Sequence, residues 1–367
     1  MIKILVVDDS ALVRKLLGEV FHQEPDLDVR FARNGIEALA QLHAYTPDVI
    51  TLDVHMPQMD GLACLDRIML ERPCPVVMVS SLTVEGANAT LEALDLGAVD
   101  FIAKPDGAIS LNIHEMAQQL VARVRVAAGA KLRRSSRLRE RVRHRIGTVA
   151  AATRPASRSV RRDAARTTEF ATAEALSGEG LVLVGTSTGG PPALEALLSP
   201  LPETLRWPIL VAQHMPASFT GSLAKRLDGL CALSAIEVLQ PTVLRAGCVY
   251  IGRGDADLIV SRRAAGLVAM PAPSRADYPW HPSADRLVRS AMDFLPASQL
   301  LGVLMTGMGS DGAEAMALLH ALGGKTIAES EETAVVWGMP GELVKANGAD
   351  WVLPLHAIAG CLMRLIP

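Results

Sequence analysis

Residues 1–10 read MIKILVVDDS, and residues 49–61 read VITLDVHMPQMDG. Each opens on a continuous apolar run, Ile2–Val7 and Val49–Leu52. Both runs are short and rich in Val and Ile, as strands buried on both faces must be. Each ends on acid: Asp8 and Asp9 after the first, Asp53 after the second. Val76–Val79 and Val99–Ala103 have the same character, with a weaker candidate at Leu27–Ala32. Amphipathic stretches separate the runs, such as Ala11–Phe21 behind the possible N-cap Ser10. This alternation predicts βαβ units and a parallel sheet with helices on both faces.

Ligands of such sheets bind outside the carboxyl ends of the strands. Three carboxylates converging there repel one another and suit a hard divalent cation, most simply Mg²⁺. Ser80 ends the fourth run, and Lys104-Pro105 follows the fifth. Solvated loop-end charge would explain any one of these residues, but not a reactive group at strand end after strand end. With the string LDVHMPQMDG at 52–61, the pattern resembles the receiver domain of bacterial response regulators over about 120 residues. The resemblance implies a flavodoxin-like, five-stranded fold in which Asp53 accepts a phosphoryl group from a histidine kinase. It implies Mg²⁺ on Asp8, Asp9, Asp53 and the carbonyl of His55, and Lys104 against the phosphoryl oxygens. Ser80 and Phe101 would be the pair that repacks on phosphorylation.

From about Gly180 the strand–helix logic repeats. Leu181–Gly185, Ile209–Gln213, Val249–Ile251 and Leu300–Thr306 read as strands. Pro191–Leu198, Ser218–Leu227, Ser283–Phe294 and Gly312–Leu322 read as helices, and 232–271 looks β-rich and hairpin-like. Gly185-Thr186-Ser187-Thr188-Gly189 has the G-x-S-x-G spacing of a nucleophile elbow, where a sharp strand-to-helix turn exposes the serine. A glycine-rich turn with a serine cap, or a phosphate cradle, would read the same way. A nucleophilic serine needs a base, and the base needs an orienting carboxylate. His214 ends one predicted strand and Asp311 follows another, so all three fall at carboxyl ends. The order Ser, His, Asp differs from that of the α/β-hydrolases. Residues 307–312, GMGSDG, also match G-x-G-x-x-G, with Glu329 and Glu331 about twenty residues on. Against a dinucleotide site, the motif comes late in its domain, and Asp311 would repel a pyrophosphate.

The strings GTSTGGP (185–191), QHMP (213–216), FTGSLA (219–224), HPSAD (281–285), MTGMGSDGA (305–313) and VVWGMP (335–340) resemble the bacterial chemotaxis protein-glutamate methylesterase family. The resemblance implies a doubly wound α/β catalytic domain with a β-hairpin insertion. It implies a triad of Ser187, His214 and Asp311, the backbone N–H of Met308 in the oxyanion hole, and no metal in that domain. The substrates it implies are glutamate methyl esters, and certain glutamines, of chemoreceptors. Two features depart from the family pattern: Gly252-Arg253-Gly254-Asp255 is followed by Asp257 where a histidine is common, and the linker is long and Arg-rich.

The chain of 367 residues is 50% apolar, 20% charged and 4% aromatic. That excludes wholesale disorder and a base-stacking nucleic-acid platform. Five cysteines without C-x-x-C spacing argue against a disulfide framework or a cysteine-rich zinc site. The first apolar run starts at Ile2 and none approaches the ~18 residues of a membrane span, so a cytoplasmic monomer without membrane insertion is expected. Residues 1–120 hold 8 Lys+Arg against 18 Asp+Glu, and residues 121–166 hold 15 against 2. Two acidic blocks thus flank a basic one. The organisation expected is a phosphoacceptor domain over 1–125, a linker over 126–178 and a catalytic domain over 179–367. Lys131–Ile146 could extend the helix before it. The linker is expected to be a solvated tether or a dock for an acidic receptor or anionic surface. A transcriptional regulator using it on DNA is disfavoured because no helix-turn-helix is recognisable.

Overall fold

The computed structural model of the chain describes residues 1–81, 83–104, 113–132, 176 and 178–366. Its first half runs β1 (Ile2–Val7), α1 (Ala11–His22), β2 (Leu27–Ala32), α2 (Gly35–Ala44), β3 (Val49–Asp53), α3 (Gly61–Glu71), β4 (Val76–Ser80), α4 (Val84–Leu96), β5 (Asp100–Ala103) and α5 (Ile113–Ala128). All five strands are parallel, in the order β2-β1-β3-β4-β5. The strands β3 and β4 are buried at every position, which is why they read as unbroken apolar runs rather than alternating ones. Polar side chains start the helices: Ser10, Asn34, Asp60 and Thr83 each accept a backbone N–H of the first turn. Helix α5 ends at Ala128, where the N–H groups of Gly129 and Ala130 turn back to Val126 and Ala127. The extension expected over Lys131–Ile146 therefore does not continue from this helix. Lys131 instead donates its N–H to the carbonyl of Val335 at 3.2 Å. The rest of that stretch, and most of the predicted linker, lies outside the described residues.

The second half continues with β6 (Leu181–Thr186), α6 (Gly190–Leu198), β7 (Ile209–Gln213), α7 (Ala217–Leu230), β8 (Ser234–Val238), β9 (Thr242–Val243), β10 (Cys248–Gly252), β11 (Ala256–Arg263) and β12 (Gly266–Pro273). There follow α8 (Ala284–Met292), β13 (Leu300–Leu304), α9 (Ala313–Ala321), β14 (Lys325–Glu329), α10 (Met339–Lys345), β15 (Trp351–Leu353) and α11 (Leu355–Leu365). Seven strands form one parallel sheet, β15-β14-β13-β6-β7-β10-β8. The expected hairpin is present as the antiparallel pair β11–β12, with β9 beside it. The β-rich middle is not all hairpin, however: β8 and β10 join the main sheet in parallel. Strands β14 and β15 were not expected. The first has polar residues at both ends, and the second spans three residues.

The chain enters this sheet at β6 and builds outward on both sides, so β6 lies between β7 and β13. The winding direction changes at β6, and sheets wound this way take their ligands beyond the carboxyl ends of the strands at that point. The two halves are packed together. An apolar cluster runs from Leu91, Leu94 and Phe101 of the first half to Phe219, Leu223 and Leu227 of α7. The rings of Phe101 and Phe219 lie 4.6 Å apart between centroids. Arg226 of α7 is ion-paired to both Asp95 of α4 and Glu195 of α6.

Gly254, just beyond β10, is a point of contact between backbones. A Cβ there would stand 1.9 Å from the carbonyl oxygen of Met215 and 2.5 Å from the N of Ala217. Gly254→Ala must therefore push away the turn that follows His214. Thermal unfolding of the full chain should show it destabilised by about 1–3 kcal/mol, the usual cost of overpacking.

Candidate functional site

The carboxyl edge of the first sheet gathers the residues read from the sequence. Asp8 and Asp53 are buried and Asp9 is exposed, and an oxygen of each lies within 4.8 Å of the others. Lys104 reaches across from the end of β5 to Asp8 at 3.0 Å and Asp53 at 2.8 Å. Burial pushes the Asp53 carboxyl above its usual value, against the pull of Lys104. Burial opposes the charge on Lys104 as well, but its bonds to Asp53 and Asp8 prevail and hold it above the ordinary lysine range. The N–H of His55 faces Asp53 Oδ1 at 3.4 Å. An all-oxygen donor set around a compact negative charge fits a divalent cation of the Mg²⁺ kind. Ser80, fully buried, donates its hydroxyl to the carbonyl of Gly86 at 3.1 Å. Phe101 is turned inward, onto Phe219.

At the edge of the second sheet, Ser187 follows β6, His214 follows β7 and Asp311 opens the turn into α9. They are 7%, 5% and 8% exposed. Backbone bonds weld their strands together: Ser187 N–H donates to Thr306 O at 2.9 Å and His214 N–H to Thr186 O at 3.1 Å. The Gln213 amide donates to the carbonyls of Ser187 and His214, at 3.1 and 3.0 Å. Gly307 has no room for a Cβ, which would stand 2.8 Å from that of Ser187. Gly307, the residue before Met308, thus lies against the serine turn. No group among the described residues accepts the Met308 N–H.

His214 Nε2 is 2.7 Å from Asp311 Oδ2. With the aspartate ionised, Nε2 carries the proton and Nδ1 the lone pair. Nδ1 is buried and has no hydrogen-bond partner among the described residues. Asp311 also accepts the Ser283 hydroxyl at 2.8 Å and the N–H groups of Ala284 and Asp285 at 2.6 and 3.1 Å, the first turn of α8. Burial alone would raise its pKa. The bond to His214 and the two amides outweigh burial and hold the carboxyl below its usual value.

Several contributors had no individual reading in the sequence. Ser283, in the quoted HPSAD string, bonds Asp311 and caps α8 through Arg286 N–H. A serine one residue before an Ala-Asp helix start is a cap signal that could have found it. Trp280 is stacked, with an offset, beside the ring of His214, centroids 5.8 Å apart and planes 14° apart. Thr188 donates its hydroxyl to Asp100 Oδ2 of β5 at 2.7 Å, and Asp100 is ion-paired to Arg123 of α5 at 3.0 Å. This bond joins the residue after Ser187 to the other half of the chain, and no sequence pattern announces it. The residues that made 307–312 resemble a dinucleotide loop are engaged elsewhere. Asp311 binds α8, Glu329 is fully buried and accepts the Thr306 N–H, and Glu331 pairs with Lys131.

Residues 182–362 match the family described as CheB methylesterase, and residues 4–113 match the response regulator receiver domain. A protein-glutamate methylesterase/protein-glutamine glutaminase of Rhodopseudomonas palustris is 57% identical over 99% of this chain and 98% of its own. Another, from Rhodospirillum rubrum, is 51% identical over 99% of this chain and 95% of its own. Among solved structures, the CheB methylesterase catalytic domain of Thermotoga maritima is 34% identical, with a TM-score of 0.50. It is matched over its whole length and over 52% of this chain. Among the described residues, no helix is long and apolar enough to cross a membrane.

The position of Asp53 has a measurable cost. Its pKa in the folded chain lies above the ordinary 3.8, so ionising it disfavours folding. That loss sets in as pH rises through the window above 3.8 and is complete beyond it. In metal-free buffer at pH 7, Asp53→Asn is expected to melt at a higher temperature than the parent, with Lys104 still held by Asp8. The difference should vanish below about pH 4, as calorimetry across pH would reveal.

Proposed function

This chain belongs to the CheB methylesterase family, with a response regulator receiver domain in its N-terminal half, and we propose that Ser187, His214 and Asp311 hydrolyse γ-glutamyl methyl esters on methyl-accepting chemotaxis receptors. The reading rests above all on His214, whose Nε2 is spent on Asp311 while its buried Nδ1 is left without a partner at the strand edge that carries Ser187. Nδ1 takes the proton of the Ser187 hydroxyl as the oxygen attacks the ester carbonyl. The Met308 N–H and a neighbouring amide stabilise the oxyanion. Nδ1 then returns its proton to the departing methoxide, methanol leaves, and water releases the acyl-enzyme as glutamate. Asp311 fixes the tautomer and stabilises the imidazolium. A glutamine substrate loses ammonia by the same route.

In the receiver, Asp53 accepts a phosphoryl group from a chemotaxis histidine kinase. Asp8, Asp9, Asp53 and the His55 carbonyl would hold Mg²⁺, which shields the charge of the incoming phosphoryl group. Lys104 would leave Asp53 for a phosphoryl oxygen, and Ser80 and Phe101 would repack. Residues 1–125 serve as the phosphoacceptor domain, 126–178 as the tether and 179–367 as the catalytic domain. The chain acts as a cytoplasmic monomer, and its adaptation role needs neither nucleic acid nor membrane insertion. With Thr188 tied to Asp100 and Phe219 covered by Phe101, the arrangement described is the restrained one, and phosphorylation releases it.

Ser187→Ala should cut methanol release from methylated receptors by on the order of 10⁶-fold, since nothing then forms the acyl-enzyme. Asp311→Asn should lower turnover by roughly 10⁴-fold, by holding the wrong tautomer. Near-parental methanol release from Ser187→Ala would sink the assignment. Regulation is tested by comparing the full chain, with and without a small-molecule phosphodonor and Mg²⁺, with a fragment starting near Gly180. The fragment should outpace the unphosphorylated chain, and the phosphodonor should narrow the gap only when Asp53 is present. If the restrained form prevails ~99:1, phosphorylation must supply about 2.7 kcal/mol to reach parity. Equal rates in all three would mean that the receiver does not act by obstruction.

A further inference from the structure

We propose that Trp280 is a positioning residue for His214, holding the ring in an offset stack and stabilising the imidazolium that forms when Nδ1 takes the serine proton. The inference rests on the triad reading given above and extends it to a residue outside the triad. Trp280 is half-buried in the loop between β12 and α8, whose residues 274–277 are exposed. Its indole lies nearly parallel to the imidazole in an offset stack, with centroids 5.8 Å apart and planes 14° apart. Asp311 meets the edge of the ring at Nε2, and the indole stacks alongside it in the offset arrangement. The indole nitrogen lies 3.7 Å from where a Cβ of Gly309 would stand, so the same side chain also spans to the loop carrying the Met308 amide.

The loop is held by Asp257, the residue that departs from the family pattern. Asp257 is fully buried and accepts His281 Nδ1 at 2.8 Å, Ser283 N–H at 2.8 Å and Arg286 Nη1 at 2.5 Å. These bonds pin His281, which follows Trp280, and Ser283, which follows Pro282. Ser283 in turn bonds Asp311 at 2.8 Å. One buried carboxylate thereby sets the tryptophan and the triad carboxylate together.

A neutral imidazole gains little from the face of an indole, whereas a cation is drawn to it. When Ser187 yields its proton to Nδ1, the ring carries N–H at both nitrogens and a positive charge beside Trp280. The contact therefore strengthens between ground state and transition state, and such an interaction appears in kcat rather than in KM.

The test uses the full chain with phosphodonor and Mg²⁺, reading labelled methanol released from methylated chemoreceptors. Trp280→Ala is expected to lower kcat about tenfold with KM within about twofold of the parent. Trp280→Phe, which keeps an aromatic face, should recover activity to within about threefold. Trp280→Leu, which refills apolar volume without a π face, should not recover it. Thermal melting of each variant reports whether it is folded, and the Phe–Leu comparison decides the matter if the alanine variant unfolds. An unchanged kcat in the series, a change confined to KM, or recovery by Leu equal to that by Phe would each overturn the proposal. Ser187→Ala runs alongside. If it still released methanol, the triad itself would fall. If it is silent and the Trp280 series flat, only the present inference falls.

Discussion

A single buried carboxylate organises the carboxyl edge of the second sheet. Asp311 is removed from water, where an unpaired charge is very costly, and four donors make its burial tolerable. They are the Ser283 hydroxyl, two amides from the first turn of α8, and His214 Nε2. The helix start favours negative charge through its unpaired N–H groups and its dipole. The carboxylate is thus a cap for α8 and an orienter for the imidazole at once. Position and charge state are set by the same bonds, so the ring cannot be displaced without disturbing the helix.

One short strand of the receiver reaches this edge. β5 spans four residues. Its first, Asp100, holds Thr188 next to the serine, its second, Phe101, packs on Phe219, and Lys104 just past its end holds Asp53. A hydrogen-bonded strand of this length moves as one piece. In the proposed switch, charge added at one end and contacts broken at the other belong to the same segment, and no long chain of intermediates has to be invoked. Asp100 also keeps Arg123 of α5, so releasing Thr188 does not strand a buried carboxylate.

The fold was legible wherever burial on both faces wrote itself into continuous apolar runs. β1, β3, β4, β6 and β7 were found close to their observed limits for that reason. Strands β14 and β15, at one side of the second sheet, carry polar ends or too few residues to give that signal. A helical extension over Lys131–Ile146 was suggested by apolar residues that continue on one face, while Gly129 and Ala130 turn the backbone away from α5. At the carboxyl edge of the second sheet the groups with distinctive chemistry, Ser187, His214 and Asp311, stood out through their place after predicted strands. Trp280, Gln213 and Asp100 did not, because their roles depend on which distant atoms the fold brings to them. Asp257 was visible as an oddity, and only its three bonds explain it.

The apolar cluster that crosses from Leu91 and Phe101 to Phe219 and Leu223 has a consequence for how the chain comes apart. Two α/β units joined by a tether ordinarily unfold as independent blocks, each with its own transition. Here they share buried surface, reinforced by Arg226 between Asp95 and Glu195. Opening either unit exposes part of the other, so in the docked arrangement the two melt as a single cooperative block. Any change that separates them divides that block in two. The heat-capacity trace of the full chain is therefore a direct measure of its docking, available without substrate and without an activity assay.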